Sequence, residues 1–170
     1  FIYWSDYYNS IISPFYSYST GRTKETLRSS QVTCRDIDDD GYIEIPEDTS
    51  SKKQSSEITS QNWVNYGNTV LSHKCYSFSC KRDGYILVID DDDFSNVKAN
   101  YDSESRKLTI INKKNKSNVF EIVTLINSNY SVNDPKYKDY TLIMKNSGFV
   151  YLAKVNKSSD IDINIQTLKD

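Results

Sequence analysis

The sequence predicts a β-rich α+β protein, mostly antiparallel sheet with few short helices. Three observations lead there. Short runs alternate apolar and polar residues, putting Val32 and Cys34 on one face of a strand and Ile43 and Ile45 on one face of the next. The runs are rich in β-branched and aromatic residues, with 14 Tyr, 6 Phe and 2 Trp in 170 residues. Helix-start signals are confined to one stretch near the end of the sequence.

Taken in order, Phe1 to Trp4 reads as a strand, and Ile11 to Tyr18 as an aromatic segment interrupted by Pro14. Gln31 to Arg35 is a strand that leads into an acidic loop, and Tyr42 to Pro46 leaves it. Glu47 to Ser60 has no apolar periodicity and reads as a mobile connection. Further strands are expected at Asn62 to Tyr66, Val70 to Ser79, Tyr85 to Ile89, Val97 to Tyr101, Lys107 to Asn112, Val119 to Ile126, Tyr140 to Lys145 and Phe149 to Val155. Asp102-Ser103-Glu104-Ser105 and Asn146-Ser147-Gly148 supply hairpin turns. Ser158-Ser159-Asp160 reads as the cap of a terminal helix with Ile161, Ile165 and Leu168 on one face, although Ile161, Ile163 and Ile165 also alternate as a strand would. The expected organisation is an N-terminal β segment over 1–60 that carries the acidic loop, and an antiparallel-sheet module over 61–170. Because Phe1-Ile2-Tyr3-Trp4 reads as the interior of a strand, the N-terminal segment is expected to be the end of a longer upstream region.

Composition narrows the function. The net charge is −2, with 21 basic and 23 acidic residues well mixed, so the basic stripe that neutralises nucleic-acid phosphates is missing. Lys113-Lys114-Asn115-Lys116 is the densest basic patch and reads as a solvated tip between strands. No apolar run reaches the length of a membrane span. Tyr, Asn, Lys and Ile abundance is also what an AT-rich genome produces, which discounts part of the aromatic enrichment. Three cysteines, Cys34, Cys75 and Cys80, are too few for a disulfide framework, and their pairing stays open.

Specific chemistry is concentrated in Asp36-Ile37-Asp38-Asp39-Asp40-Gly41-Tyr42-Ile43-Glu44-Ile45-Pro46. Asp36, Asp38 and Asp40 alternate, Gly41 follows where the chain must turn sharply, and Glu44 comes four residues after Asp40. A hard cation wanting six to eight oxygens is served by three carboxylates, the Tyr42 carbonyl and Glu44. An EF-hand needs flanking helices, whereas the entry here is β-type and Pro46 would interrupt an exit helix. The loop is more similar to the strand-to-strand calcium loop of FG-GAP repeats. The alternative is an acidic turn holding no metal. Two carboxylates about 6 Å apart repel by roughly 2–3 kcal/mol at an effective dielectric near 20, so five within nine residues favour a compensating cation. Calcium is preferred to magnesium, which demands tighter octahedral geometry.

Other constellations are weaker. Asp90-Asp91-Asp92-Asp93 lacks the turn glycine and reads as a solvated turn at a strand end. His73 and Cys75 share a strand face about 7 Å apart, conceivable as a dyad but without an orienting third group. Cys34, His73, Cys75 and Cys80 have zinc-ligand chemistry without zinc-site spacing. No phosphate loop, nucleophile elbow or zinc-protease motif occurs. Phe1, Tyr3, Trp4, Tyr7, Tyr8, Phe15, Tyr16 and Tyr18 crowd the start, as platforms for sugar rings or as ordinary strand residues.

Thr26-Leu27-Arg28-Ser29-Ser30-Gln31-Val32 followed by Arg35 to Pro46 resembles uncharacterised cell-surface lipoproteins of low-GC Gram-positive anaerobes. Asn62-Trp63-Val64-Asn65-Tyr66, Asp83-Gly84-Tyr85, Phe120-Glu121-Ile122 and Val150-Tyr151-Leu152-Ala153 match the strand markers of their C-terminal module. The resemblance covers most of the chain and implies strands like a partial propeller repeat preceding an α+β module. That family tends to carry a Pro and a Trp after the Gly-Tyr strand, where this chain has Asp90 to Asp93 and Phe94. The resemblance implies an extracellular, cell-surface location through a lipid anchor outside this chain. With the calcium loop it leads to one expectation: a non-enzymatic binding or scaffolding module whose partner is a protein or glycan of the cell envelope. The alternative is a cell-wall or glycan hydrolase whose carboxylates the sequence does not single out.

Overall fold

Backbone hydrogen bonding gathers the alternating runs into two antiparallel sheets. A computed structural model describes residues 11–17, 22–29, 32–49, 57–67, 70–131, 133–146, 148–156 and 163–167. The expected strand at Phe1 to Trp4 lies outside them. Sheet one has the order β1-β2-β3-β4-β5-β6-β12, built from Ile11–Ser17, Arg22–Arg28, Ile45–Asp48, Ile58–Gly67, Val70–Cys80, Tyr85–Ile89 and Ile163–Thr167. Sheet two has the order β10-β11-β9-β8-β7, built from Thr141–Lys145, Phe149–Val155, Asn118–Ile126, Lys107–Asn112 and Val97–Asp102. No propeller closure is present among the described residues; β3 pairs with both β2 and β4 and belongs to sheet one. Residue 60, where composition places a boundary, lies within β4, and sheet one continues through it.

The main core lies between the sheets. Ile58, Phe78, Cys80, Tyr85, Leu87 and Ile89 from sheet one meet Val97, Ala99, Leu108, Ile110, Phe120, Ile122, Tyr151 and Ala153 from sheet two. In β6 the alternate residues Ile86 and Val88 face the other way and pack with Val32, Ile37 and Trp63. That strand is apolar throughout because both of its faces are covered. The register of β4 on β5 shifts between Trp63 and Val64, with Lys74 the extra residue of β5; Trp63 joins this second cluster and Val64 packs with Ile45 and Cys34.

Three expectations are corrected, and the solvated turn expected at Asp90 to Asp93 is present as a single helical turn. The terminal segment is the strand β12, in register with β6 from Ile163↔Ile89 to Thr167↔Tyr85, and not a helix. The alternation of Ile163 and Ile165 prevails because β6 offers an edge whose backbone groups need partners. Residues 32–35 form no strand; Arg35 makes only a single bridge with Glu44, and Val32 and Cys34 enter different clusters. Ile43 and Ile45 do not share an environment, since Ile43 is 57% exposed and Ile45 buried, and Glu44 takes the buried place between them. Asp91–Phe94 is one turn of helix, α1, with Asp90 as its N-cap. Its leading carboxylates suit the positive end of the turn. The Phe94 ring anchors it by stacking on Tyr76 at 4.3 Å.

Candidate metal site

Hydrogen bonds from the backbone of the acidic loop fix its carboxylates before any ligand is considered. The neck is the Arg35–Glu44 bridge, in which Arg35 N donates to Glu44 O at 3.2 Å and Glu44 N to Arg35 O at 2.8 Å. Within the loop, Asp40 N and Gly41 N donate to Asp36 Oδ1 and Oδ2 at 3.0 and 2.8 Å. Tyr42 N donates to Asp40 Oδ1 at 2.9 Å. The tight return needs left-handed backbone at Asp39 (φ 58°) and Gly41 (φ 89°). Aspartate tolerates that region and glycine adopts it without strain. A Cβ on Gly41 would meet no atom within 4 Å, so the glycine is required by its dihedral and not by space.

Glu44 is the buried member. Its Oε2 accepts from Ile37 N at 2.9 Å and its Oε1 from Asn65 Nδ2 at 3.4 Å. Each of Asp36, Asp38, Asp40 and Glu44 offers a carboxylate oxygen within 4.8 Å of the others, a set that can hold a metal ion. Four of the five expected ligands therefore converge. The fifth, Tyr42, has a side chain in solvent, and the residue is 68% exposed. Its observed contribution is the N–H bonded to Asp40.

One cation is already present. Lys74 Nζ, reaching over from β5, lies 2.6 Å from Asp40 Oδ2 and 3.5 Å from Asp38 Oδ2. The Lys74 ammonium and the Tyr42 N–H hold the Asp40 carboxyl below the usual carboxylate range, and Asp40 in turn raises Lys74. Glu44 moves the other way: burial pushes its carboxyl up, the Ile37 and Asn65 donors oppose that, and the charges of Asp38 and Asp40 add to it. The cluster is thus partly compensated at its exposed rim by one ammonium and electrostatically unfavourable at its buried end, the place where a multivalent ion would relieve it. These residues fit a hard cation with oxygen ligands; the chemistry of the donor set does not favour a soft metal.

The other candidates do not assemble. His73 Nε2 lies 2.6 Å from Asp91 Oδ1, its Nδ1 bonds Asn62 Oδ1, and its ring packs on Tyr76. Cys75 sits in the cluster beneath the loop, where burial and the Asp38, Asp91 and Glu44 charges push its thiol up to about 12. A nucleophile requires the thiolate, so this pair is not poised for one. Cys80 is buried in the inter-sheet core and is likewise pushed up to about 12 by burial. No zinc-type grouping of Cys34, His73, Cys75 and Cys80 occurs among the described residues. Trp63 is fully buried and its Nε1 donates to Ser77 Oγ at 2.8 Å, which removes it as a surface platform. Trp4 and most of the aromatic start lie outside the described residues.

A second charged centre gave no sign in the sequence beyond an Asp-Gly turn. Asp83, fully buried in the β5–β6 turn, accepts from Arg106 Nε at 2.7 Å and Tyr101 OH at 2.8 Å. Its carbonyl accepts from Tyr151 OH at 2.7 Å. Arg106 also lies 4.6 Å over the Phe149 ring. This network joins a turn of sheet one to three strands or turns of sheet two. Compared with protein-family models, curated proteins and solved structures, the chain finds no match.

Proposed function

We propose that this chain is a non-enzymatic binding or scaffolding module, fastened by one calcium ion in the Asp36–Glu44 loop. The observation that carries the reading is the convergence of four carboxylates, one of them fully buried, on a loop whose own N–H groups orient three of them, Asp36, Asp40 and Glu44. Calcium would take one oxygen from each of Asp36, Asp38, Asp40 and Glu44, with the Tyr42 carbonyl completing the protein ligands. It would supply charge neutralisation and cross-linking. By tying Glu44, just before β3, to Asp36, which neighbours the buried Ile37, it would hold the loop down on the second cluster of sheet one. A cell-surface setting, with a lipid anchor outside this chain, suits such a site because extracellular calcium is millimolar and modules of this type bind at about 10⁻⁴–10⁻³ M.

The partner is a protein or glycan of the envelope. An open polar groove on sheet two, lined by Asn118, Glu121, Asp139, Lys154 and Asn156, offers amide, carboxylate and ammonium groups of the kind both present.

Thermal unfolding with calcium and with chelator tests the cation. A ligand at 100 times its dissociation constant adds about 2.7 kcal/mol, so the midpoint should rise by several degrees. Asp38→Ala should abolish the rise while leaving the chelated midpoint within a degree or two. Superimposable curves with and without calcium would end the reading.

A further inference from the structure

We propose that His73 is a proton-operated clasp, tying α1 to β4 while both ring nitrogens carry protons and releasing α1 when one is lost. This inference does not rest on the cation site. A row of side chains runs from Glu47 of β3 through Asn62 of β4 and His73 of β5 to Asp91 of α1. Its hydrogen-bond polarity is fixed at each end by a carboxylate, which when ionised can only accept. Asn62 Nδ2 donates to Glu47 Oε2 at 3.0 Å, so the oxygen of that amide is turned to His73 Nδ1. Nδ1 must then donate. Nε2 faces Asp91 Oδ1 at 2.6 Å and must donate as well. A ring with two donors is the imidazolium.

Neutral imidazole keeps one N–H, so one end has to open, and the surroundings decide which. Keeping the proton on Nε2 would require the Asn62 amide to turn over, setting its oxygen against Glu47 Oε2 with no donor between them. Keeping it on Nδ1 leaves Nε2 and Asp91 Oδ1 as two acceptors face to face, and Asp91 can move away into water. Its side chain is already 53% exposed, so its rehydration costs little. The α1 end is the one that opens. Phe94 still holds the turn through its ring contacts with Tyr76 and Phe78, so the release is a loosening and not a detachment. Among the described residues, the charges facing the ring are acidic: Asp91 on α1, with Asp90 next to it, and Glu47 on β3 behind Asn62. On β5 itself, Lys74 is turned to Asp38 and Asp40 of the acidic loop, Cys75 is held as a thiol, and Tyr76 packs on the ring. Imidazole changes charge between about pH 5 and 8, so the clasp is closed at the acid end of that range and open at the alkaline end.

His73 is the sole histidine, so nuclear magnetic resonance reads its two ring nitrogens without ambiguity. In the whole chain both should be protonated near the acid end of about pH 5 to 8, and Nδ1 alone near the alkaline end. The Phe94 amide, which donates to Asp90 O at 3.0 Å, reports on α1. Its exchange should speed up by about two- to fivefold beyond the intrinsic pH dependence across that range, the factor an exposed ion pair allows. Asp91→Asn, whose amide can either donate or accept, should leave Phe94 exchange free of the extra dependence. Glu47→Gln should let Asn62 turn over, so that the neutral ring keeps its proton on Nε2 and α1 stays tied at the alkaline end. A neutral wild-type ring protonated on Nε2, Phe94 exchange indifferent to the charge of the ring, or a Glu47→Gln chain that behaves as wild type would each overturn the proposal.

Discussion

Glu44 and Lys74 occupy opposite ends of the acidic cluster and respond to cations in opposite ways. Lys74 is a tethered substitute for a metal charge, held against the same Asp40 oxygen that the cation needs. Replacing it by Gln should raise calcium affinity by roughly two- to fivefold, the range that the contribution of an exposed ion pair allows, as read by calorimetry. The chelated midpoint should fall at the same time. Unchanged affinity would mean that the ammonium does not occupy the ion's place. Glu44 carries the pH dependence. Its folded pKa is raised, so the protonated form is favoured in the fold and the carboxyl destabilises the chelated chain where it must ionise. That destabilisation is absent below the unfolded pKa near 4.5 and grows as pH rises towards the folded value. Asp40, shifted down, contributes stability that is lost only below about 3.8, a separate window. In chelator, wild type should therefore lose stability relative to Glu44→Gln as pH rises from 4 to 7, by about 1.4 kcal/mol for each unit of the shift. Calcium should reverse the order at pH 7. A difference that is flat with pH would refute the burial of a charged Glu44.

Strands were the readable part of this chain, because a period of two residues is a local property. Tyr85–Ile89, Lys107–Asn112 and Phe149–Val155 have the bounds that alternation and turn residues set. Local reasoning failed where a neighbour decided the outcome. Ile163–Thr167 carries both a helical and a strand pattern, and the edge of β6 settles the matter at a distance of more than seventy residues. Ile43 alternates correctly with Ile45, yet the tight neck of the acidic loop turns Ile43 out and Glu44 in. The aspartates of the loop were legible because metal spacing is local as well. Lys74 was not, since it arrives from β5, thirty-four residues beyond Asp40. Asp83 and Arg106 look like ordinary turn residues until two separate hairpins are folded against each other.

That last pair argues that the two sheets form one cooperative unit. The main core draws side chains from β4, β5 and β6 on one side and from β7, β8, β9 and β11 on the other, so neither sheet retains its inner face alone. Asp83 lies at the seam, with Arg106 and Tyr101 on its carboxylate and Tyr151 on its carbonyl, all from sheet two. Removing one partner of a buried, hydrogen-bonded ion pair leaves the other uncompensated, at a cost of about 3–5 kcal/mol. Asp83→Ala should therefore lower the urea midpoint strongly while leaving the slope unchanged, because the same surface is exposed in a single transition. Native-state hydrogen exchange distinguishes the cases. The slowest amides of β5 and β6 should share one opening free energy with those of β8 and β9, and the variant should lower both by the same amount. If β8 and β9 opened at much lower energy than β5 and β6, or if Asp83→Ala affected one group only, the sheets would be separate units and the buried carboxylate a local feature of its turn.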